Sequence, residues 1–543
     1  MPAHRDIKTS AFRLRARAKL RLLLRSLPAV LVIAGALGAS AVAAPRAHAH
    51  TRRSARSVAE QTPAERPASS AAAAYVPEEV VAEMTSPRSD RRPAGARTAR
   101  AAALGSGRVR IIHLRRGESV PAAVARLRSE GRVRWAAPNY IARTTALVGG
   151  PPTARASGLA PAAGASVAVR SAATSSTVSA RQEQPTPSPV IPINEGAAHR
   201  PGGWELSQWN FAGSFGVDAP QAWANVIADH APGGRGVTVA VLDTGIAYRN
   251  WRRFRRSPGF SPRQFVPGYD FVDPKMPPID RNGHGTFVAG EIAEETGVRF
   301  GLTGLAYGVK LMPVRVLNSS GEGNAATIAR GIRFAVDHHA QVINMSLEFP
   351  GAIVASDVPE LISALRYARR HHVLVVAAAG NDDSPAIPFP ARAAGVVSVG
   401  ATTEHGCLAD YSDYGRRLTL VAPGGGPDAS IPQDPNCHPE GPPGRDIFQV
   451  TLVGSSGHRF GIPDGYEGTS MAAPEVSATA ALVIASGVLG HHPTPDQVIT
   501  RLKVTARPLG SAKDRSYYGA GLLDAAAATA AGGPGALSAM RKR

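Results

Sequence analysis

The sequence has 543 residues, 43% of them hydrophobic and 19% charged, so two or three domains and at least one large core are within reach. A net charge of +20 would suit nucleic acid or an anionic membrane. The distribution excludes that for most of the chain. Residues 1–200 carry 31 Lys+Arg against 11 Asp+Glu, while residues 201–543 carry 30 of each.

The N-terminus is rich in Arg and Lys. An uncharged run follows, Leu27 to Ala44, and then Ala-x-Ala patterns at Ala41–Ala43 and Ala47–Ala49. This is the layout of a secretory signal peptide over 1–49; a signal anchor is the alternative, since 18 residues just span a bilayer. Export is expected, and no membrane contact once the signal is removed. Residues 50–74 are basic, lack periodicity and are expected to be disordered. Residues 75–145 predict a small α/β unit: a strand at "VRIIHL" (109–114), a helix over 119–131 stopped by Gly131, and an extended segment broken by Pro138. Residues 146–203 are rich in Pro, Ala, Ser and Gly and read as a linker.

From 204 to 530 apolar runs of strand length alternate with helical patterns. Strands are expected at 237–243, 311–317, 342–347 and 373–381, and helices at 325–339 and 360–372. Buried strands alternating with helices predict an α/β three-layer domain around a mainly parallel sheet. "TPDQVITRL" opens a helix with Thr494 as cap, Pro495 first and Gln497 as the capping-box partner. Residues 531–543 form a short tail. The two cysteines, Cys407 and Cys437, are expected to pair in an exported chain; a cytosolic chain would keep two thiols. The histidine pairs 338–339, 371–372 and 491–492 read as surface residues.

Four residues fall at element ends, where sites of parallel sheets lie. Asp243 ends a buried strand in "VAVLDTGI"; it would equally serve a turn with Gly245. A single Asp-Thr-Gly excludes the paired carboxylates of an aspartic protease. His284 lies between glycines in "NGHGTFVAG". Asn381 ends "VLVVAAAGN", and its amide could serve an oxyanion or a turn. Ser470, in "GTSMAAPEV", opens a small-residue helix whose N-terminus favours negative charge; a bare capping role is the alternative. No Gly-x-Ser-x-Gly, zinc-type His-Glu-x-x-His or P-loop is present.

These motifs, in the order Asp, His, Ser, resemble those of the subtilisin-like serine proteases, the subtilase family. "YGAGLLDAAAA" (518–528) resembles the family's C-terminal segment, and 75–145 resembles, less specifically, its inhibitory prodomain. The resemblance implies a secreted serine endopeptidase made as a proenzyme. Ser470 would be the nucleophile, His284 the general base, Asp243 its orienting partner, and Asn381 with the Ser470 N–H the oxyanion hole. Substrate backbone would lie along Gly321, Glu322, Gly323, Ser346, Leu347, Glu348, Ala378 and Gly380. A catalytically silent relative acting as a binding protein is the alternative.

Several departures from the family pattern stand out. Glu348-Phe349 replace Gly-Gly, and Glu322 replaces a small residue. These predict a preference for basic side chains in the substrate. Glu475 replaces a His; lying well round the helix from Ser470, it is expected to suit the helix dipole rather than touch the chemistry. "AYRNWRRFRRS" is basic where calcium ligands are common. No cofactor is expected for the chemistry; structural calcium is possible, but no metal site is predicted. The expected partners are polypeptide substrates and the chain's own prodomain, with no nucleic acid, in a monomer. The Arg-rich end of the prodomain (Arg126, Arg128, Arg132, Arg134, Arg143) is expected to face Glu322 and Glu348. A cut within 146–203 would leave a mature chain starting near residue 200.

Overall fold

The computed structural model describes residues 75–85, 108–145, 147–148, 203–297, 302–511 and 515–532, all within one compact unit, Ser69–Arg543. The signal-peptide segment, the basic segment, nearly all of the linker and the tail lie outside the described residues.

The larger region is built on a seven-stranded parallel sheet. In spatial order its strands are Leu420–Pro423, Val396–Thr402, Leu374–Ala378, Val342–Met345, Thr238–Asp243, Lys310–Arg315 and Tyr269–Asp270. Alternate residues of one strand enter different cores. Val239 and Val241 pack on one face, with the helices His284–Ala293 and Thr469–Ser486. Ala240 and Leu242 pack on the other, with Ala325–Asp337 and Pro359–Arg370. Apolar side chains on both faces are why these strands read as continuous runs. The chain switches direction across the sheet between Thr238–Asp243 and Val342–Met345, which opens a crevice at their carboxyl ends.

The predicted strands and helices occur with ends shifted by a few residues. The capping box of Thr494 and Gln497 is present, and Cys407 and Cys437 are joined in a disulfide. Among the described residues no helix is long and apolar enough to cross a membrane, and no three His, Cys, Asp or Glu side chains are placed to hold a metal.

The smaller region has its own core, with Val80, Met84, Ile112, Val124, Leu127 and Ala136 buried between sheet and helix Val120–Arg128. Its antiparallel strands run Val109–His113, Tyr75–Met84, Val133–Thr144. The strand Tyr75–Met84 is absent from the sequence reading. Pro138 does not break the third strand as expected: it sits inside a continuous 12-residue strand, opposite Val80. The register there shifts between Tyr75 and Val80, and such irregular pairing is where a residue without an N–H is tolerated in a sheet.

Candidate active site

The strand Thr238–Asp243 delivers the Asp243 side chain, fully buried, to the crevice. Its Oδ1 accepts from the Thr244 N–H at 2.7 Å and lies 2.8 Å from His284 Nδ1. His284 is the first residue of its helix, and the preceding Gly283 has φ 112°, a region that strains any residue with a Cβ. A Cβ on Gly285 would strike the Gly245 carbonyl and lie 3.0 Å from Asp243 Oδ1. The glycines flanking the histidine therefore let two backbones meet.

Asp280 ties this corner together and is missed by the sequence reading. Wholly buried, it accepts from the N–H groups of Asn282, Gly283 and Thr286 and from the hydroxyls of Thr244 and Thr286. The Thr244 hydroxyl in turn accepts from the Gly285 N–H at 3.0 Å. An Asp just before "RNGHG" looks like a turn residue in sequence; only the fold shows that it fastens both loops.

Ser470 is the second residue of its helix. Pro474 lies one turn on and has no N–H, so the Ser470 carbonyl loses its helical donor. The Ser346 hydroxyl replaces it at 2.9 Å. Ser346 accepts from Asn344, which accepts from Ser477, so the helix start is pinned to the sheet. Thr469 holds Asn381: its N–H and hydroxyl donate to Asn381 Oδ1 at 3.0 and 2.8 Å. That fixes the amide with Nδ2 pointing into the groove.

The groove is occupied by this chain's own residues 141–145 and 147–148. Ile141–Arg143 pair antiparallel with Glu322–Asn324 on one side, and Arg143–Thr144 with Leu347–Glu348 on the other. Beyond the site, Leu147–Val148 pair antiparallel with Tyr466–Glu467. Between these pairings the Thr145 carbonyl accepts from Asn381 Nδ2, and the Thr145 hydroxyl bonds Ser470 Oγ. Ser470 Oγ also lies 3.3 Å from the Ser346 carbonyl, and His284 Nε2 has no hydrogen-bond partner among the described residues. Of the residues expected to line the backbone, 322, 323, 347 and 348 pair with the segment; the Gly321 carbonyl accepts from the Thr144 N–H. Ala378 and Gly380 stand on the wall leading to Asn381.

The charge expectation is corrected in part. Arg143 reaches Glu322 at 3.4 Å, but both are well exposed, so the pair adds ~0–1 kcal/mol. Arg126, Arg132 and Arg134 pair with Glu118, Glu130 and Glu83 inside their own region, and Arg128 donates to the Ala136 carbonyl. Backbone pairing and apolar contact hold the small region in place: Val81 and Val109 pack on Ala326, and Asn139 Oδ1 caps the Ala326 N–H at 3.2 Å. Glu348 is half-buried, with its Oε2 turned inward rather than displayed, and burial beside Asp413 raises its carboxyl to about 8. Glu475 is also not a dipole partner. It is wholly buried, accepts from Asn210 Nδ2 at 2.6 Å, and burial raises its carboxyl well above the ordinary range, so it sits there protonated.

Residues 234–521 match the subtilase family. Alkaline elastase YaB from Bacillus sp. (strain YaB) is 36% identical over 296 residues, covering 54% of this chain and 65% of that relative. Subtilisin Savinase from Lederbergia lenta is 36% identical over 296 residues, covering 54% of this chain and 91% of the relative. Among solved structures, a protease from Pseudoalteromonas arctica PAMC 21717 aligns at 31% identity with a TM-score of 0.46, covering 59% of this chain and 96% of that one. The family match takes in more than half the chain and includes Asp243, His284, Asn381 and Ser470, so this chain belongs to the subtilase family of serine-type endopeptidases.

Proposed function

We propose that the chain is an exported endopeptidase precursor that cuts itself between Thr145 and Ala146, and that residues 75–145 then remain as its inhibitor. The observation that carries this is the Thr145 carbonyl on Asn381 Nδ2 with the Thr145 hydroxyl against Ser470 Oγ, on a backbone strand-paired at 141–144 and 147–148. A substrate bond held in register on both sides is the arrangement that proximity requires.

In this reading Ser470 Oγ turns from Thr145 to His284 Nε2, a rotation about χ1 between staggered wells, and attacks the Thr145 carbonyl carbon. His284 takes the proton, and Asp243 on Nδ1 holds the ring and the charge it gains. Asn381 Nδ2 follows the carbonyl oxygen as it becomes an oxyanion. The C–N bond breaks, His284 returns the proton to the Ala146 amine, and water later releases the acyl group by the same route. The cut frees the primed segment but not Ile141–Thr144, which stay paired in the groove. The product of the first turnover therefore blocks the second until residues 75–145 are lost. Their small separate core makes them the less stable region. This places the cut at the start of the linker, and a mature chain starting near residue 200 would need further cuts.

The secreted protein is expected to begin at Ala146 and to react at Ser470 with a fluorophosphonate. An intact precursor that never labels would reject the reading in favour of a silent binding relative. Replacing Asn381 by Ala removes the side-chain oxyanion donor. Turnover is expected to fall ~10²–10³-fold with KM little changed, the magnitude measured for this donor in subtilisin itself; steady-state kinetics on a peptide anilide checks it.

A further inference from the structure

Thr145 runs between two walls. One is Ser346–Glu348, paired to residues 143–144; the other is Ala378–Asn381, which holds the Thr145 carbonyl. The Glu348 side chain leaves the first wall and crosses to the second. A Cβ added at Gly380 would come within 2.6 Å of Glu348 Oε2 and would strike Asp413 Oδ2. Two carboxylates thus meet at the α-carbon next to Asn381. Asp413 is buried, and its Oδ1 accepts from the N–H groups of Asp382 and Ser384 at 3.0 and 2.8 Å. Glu348 accepts from the Asn381 N–H, while its buried Oε2 has no partner among the described residues.

We propose that Glu348 and Asp413 form the floor of the pocket that receives the side chain preceding the cut bond, and that the pocket takes small neutral side chains at acidic pH and Lys or Arg at alkaline pH. The inference rests on the endopeptidase reading above.

The structure supplies the acidic half of this behaviour. The residue whose carbonyl Asn381 holds beside this pair is Thr145, small and uncharged, and among the described residues no cation is paired with either carboxylate. The charged groups facing it are Asp382, and Asp383 on the Asp413 side, all of the same sign; Arg143, opposite Glu348 in register, is engaged with Glu322. Burial first, and then this acidic company for Glu348, raise its carboxyl to about 8; burial raises Asp413 to about 7. Two such groups titrate as a pair sharing a proton. Below neutrality the floor is uncharged and accepts Thr. Above it the floor carries charge that a Lys ammonium, still protonated there, neutralises. A cation entering at alkaline pH would find the unpartnered Oε2 as its first acceptor.

The test uses mature wild-type protein and two peptide substrates identical except for Lys or Thr before the cut bond. The ratio of their kcat/KM values is measured at about pH 6 and about pH 9. Any pH effect common to both substrates cancels in the ratio. The Lys/Thr ratio is expected to rise at least about tenfold with pH, the scale of one buried charge pair, and to stay flat in Glu348→Gln. Asp413→Asn serves as the second variant, expected to shift the rise to lower pH; fluorophosphonate labelling reports that each variant is folded and active. A wild-type ratio that does not change with pH while labelling is intact would overturn the pocket alone. Absence of both labelling and turnover in the wild type would overturn the endopeptidase reading and the pocket with it.

Discussion

Ser470→Ala is expected to abolish peptide hydrolysis and to leave residues 75–145 covalently attached. The nucleophile, base and orienting carboxylate act as a unit, and loss of the serine alone in subtilisin itself lowers kcat by about 10⁶. What survives comes from binding and the oxyanion donors. The substitution removes one hydroxyl, whose contacts are the Thr145 hydroxyl and the Ser346 carbonyl. The pinning of the helix start through the Ser346 hydroxyl and the Ser470 carbonyl is untouched, so the fold is expected to persist. Intact-mass measurement of the secreted variant should give the precursor, and the wild type a chain beginning at Ala146. Hydrolysis within tenfold of wild type would sink the assignment of Ser470. Cutting of both proteins at Thr145–Ala146 would instead assign the cut to another protease.

Much of this site is legible in the sequence because its residues sit where backbone geometry leaves a local mark. Asp243 follows a continuous apolar run because its strand is covered on both faces. Gly283 and Gly285 flank His284 because one adopts φ 112° and the other meets the Gly245 carbonyl. The parts that were not legible depend on contacts between distant segments. Asp280 and Asp413 are ordinary loop aspartates until the fold turns five donors onto one and Glu348 onto the other. Thr145 has no motif; its position is fixed by pairing with strands some 180 and 200 residues away. Reading Arg126, Arg132 and Arg134 as cleft-facing failed because Glu118, Glu130 and Glu83 lie nearer in the folded unit. Reading Glu475 from its helix position alone could not see Glu291, which faces it from the helix His284–Ala293.

Those buried carboxyls predict a protein that loses stability as pH rises. Glu294 and Glu360 are almost fully buried, and burial raises each to about 8. Glu291 and Glu475 are wholly buried and raised well above the ordinary range, Glu291 by burial first and then by Glu475. Among the described residues Glu291 has no hydrogen-bond partner on either oxygen, and Glu294, Glu360 and Glu475 each leave at least one oxygen unpartnered; the single donors present, Val450 N–H on Glu294 and Asn210 on Glu475, do not offset the burial. The unfolded chain releases the Glu294 and Glu360 protons near 4.5, the folded chain only near 8; Glu291 and Glu475 shift in the same direction. Between those values the unfolded state binds fewer protons, and stability falls as pH rises. The contribution is whole below about 4.5, declines through neutrality and is gone above the folded-state values. At ~1.4 kcal/mol per pH unit per group, Glu294 and Glu360 each cost on the order of 3–5 kcal/mol by about pH 9. Glu294→Gln and Glu360→Gln keep the shape without the titration. Measured on the Ser470→Ala background to prevent self-digestion, each is expected to raise the apparent Tm at about pH 9 by roughly 5–10 °C and to change it little at about pH 5. Glu291→Gln should do the same while relieving Glu475, so the Glu291→Gln/Glu475→Gln double variant is expected to gain less than the sum of the two. A wild-type Tm that is level from about pH 5 to about pH 9 would show that these carboxyls carry a charge partner and are not held protonated.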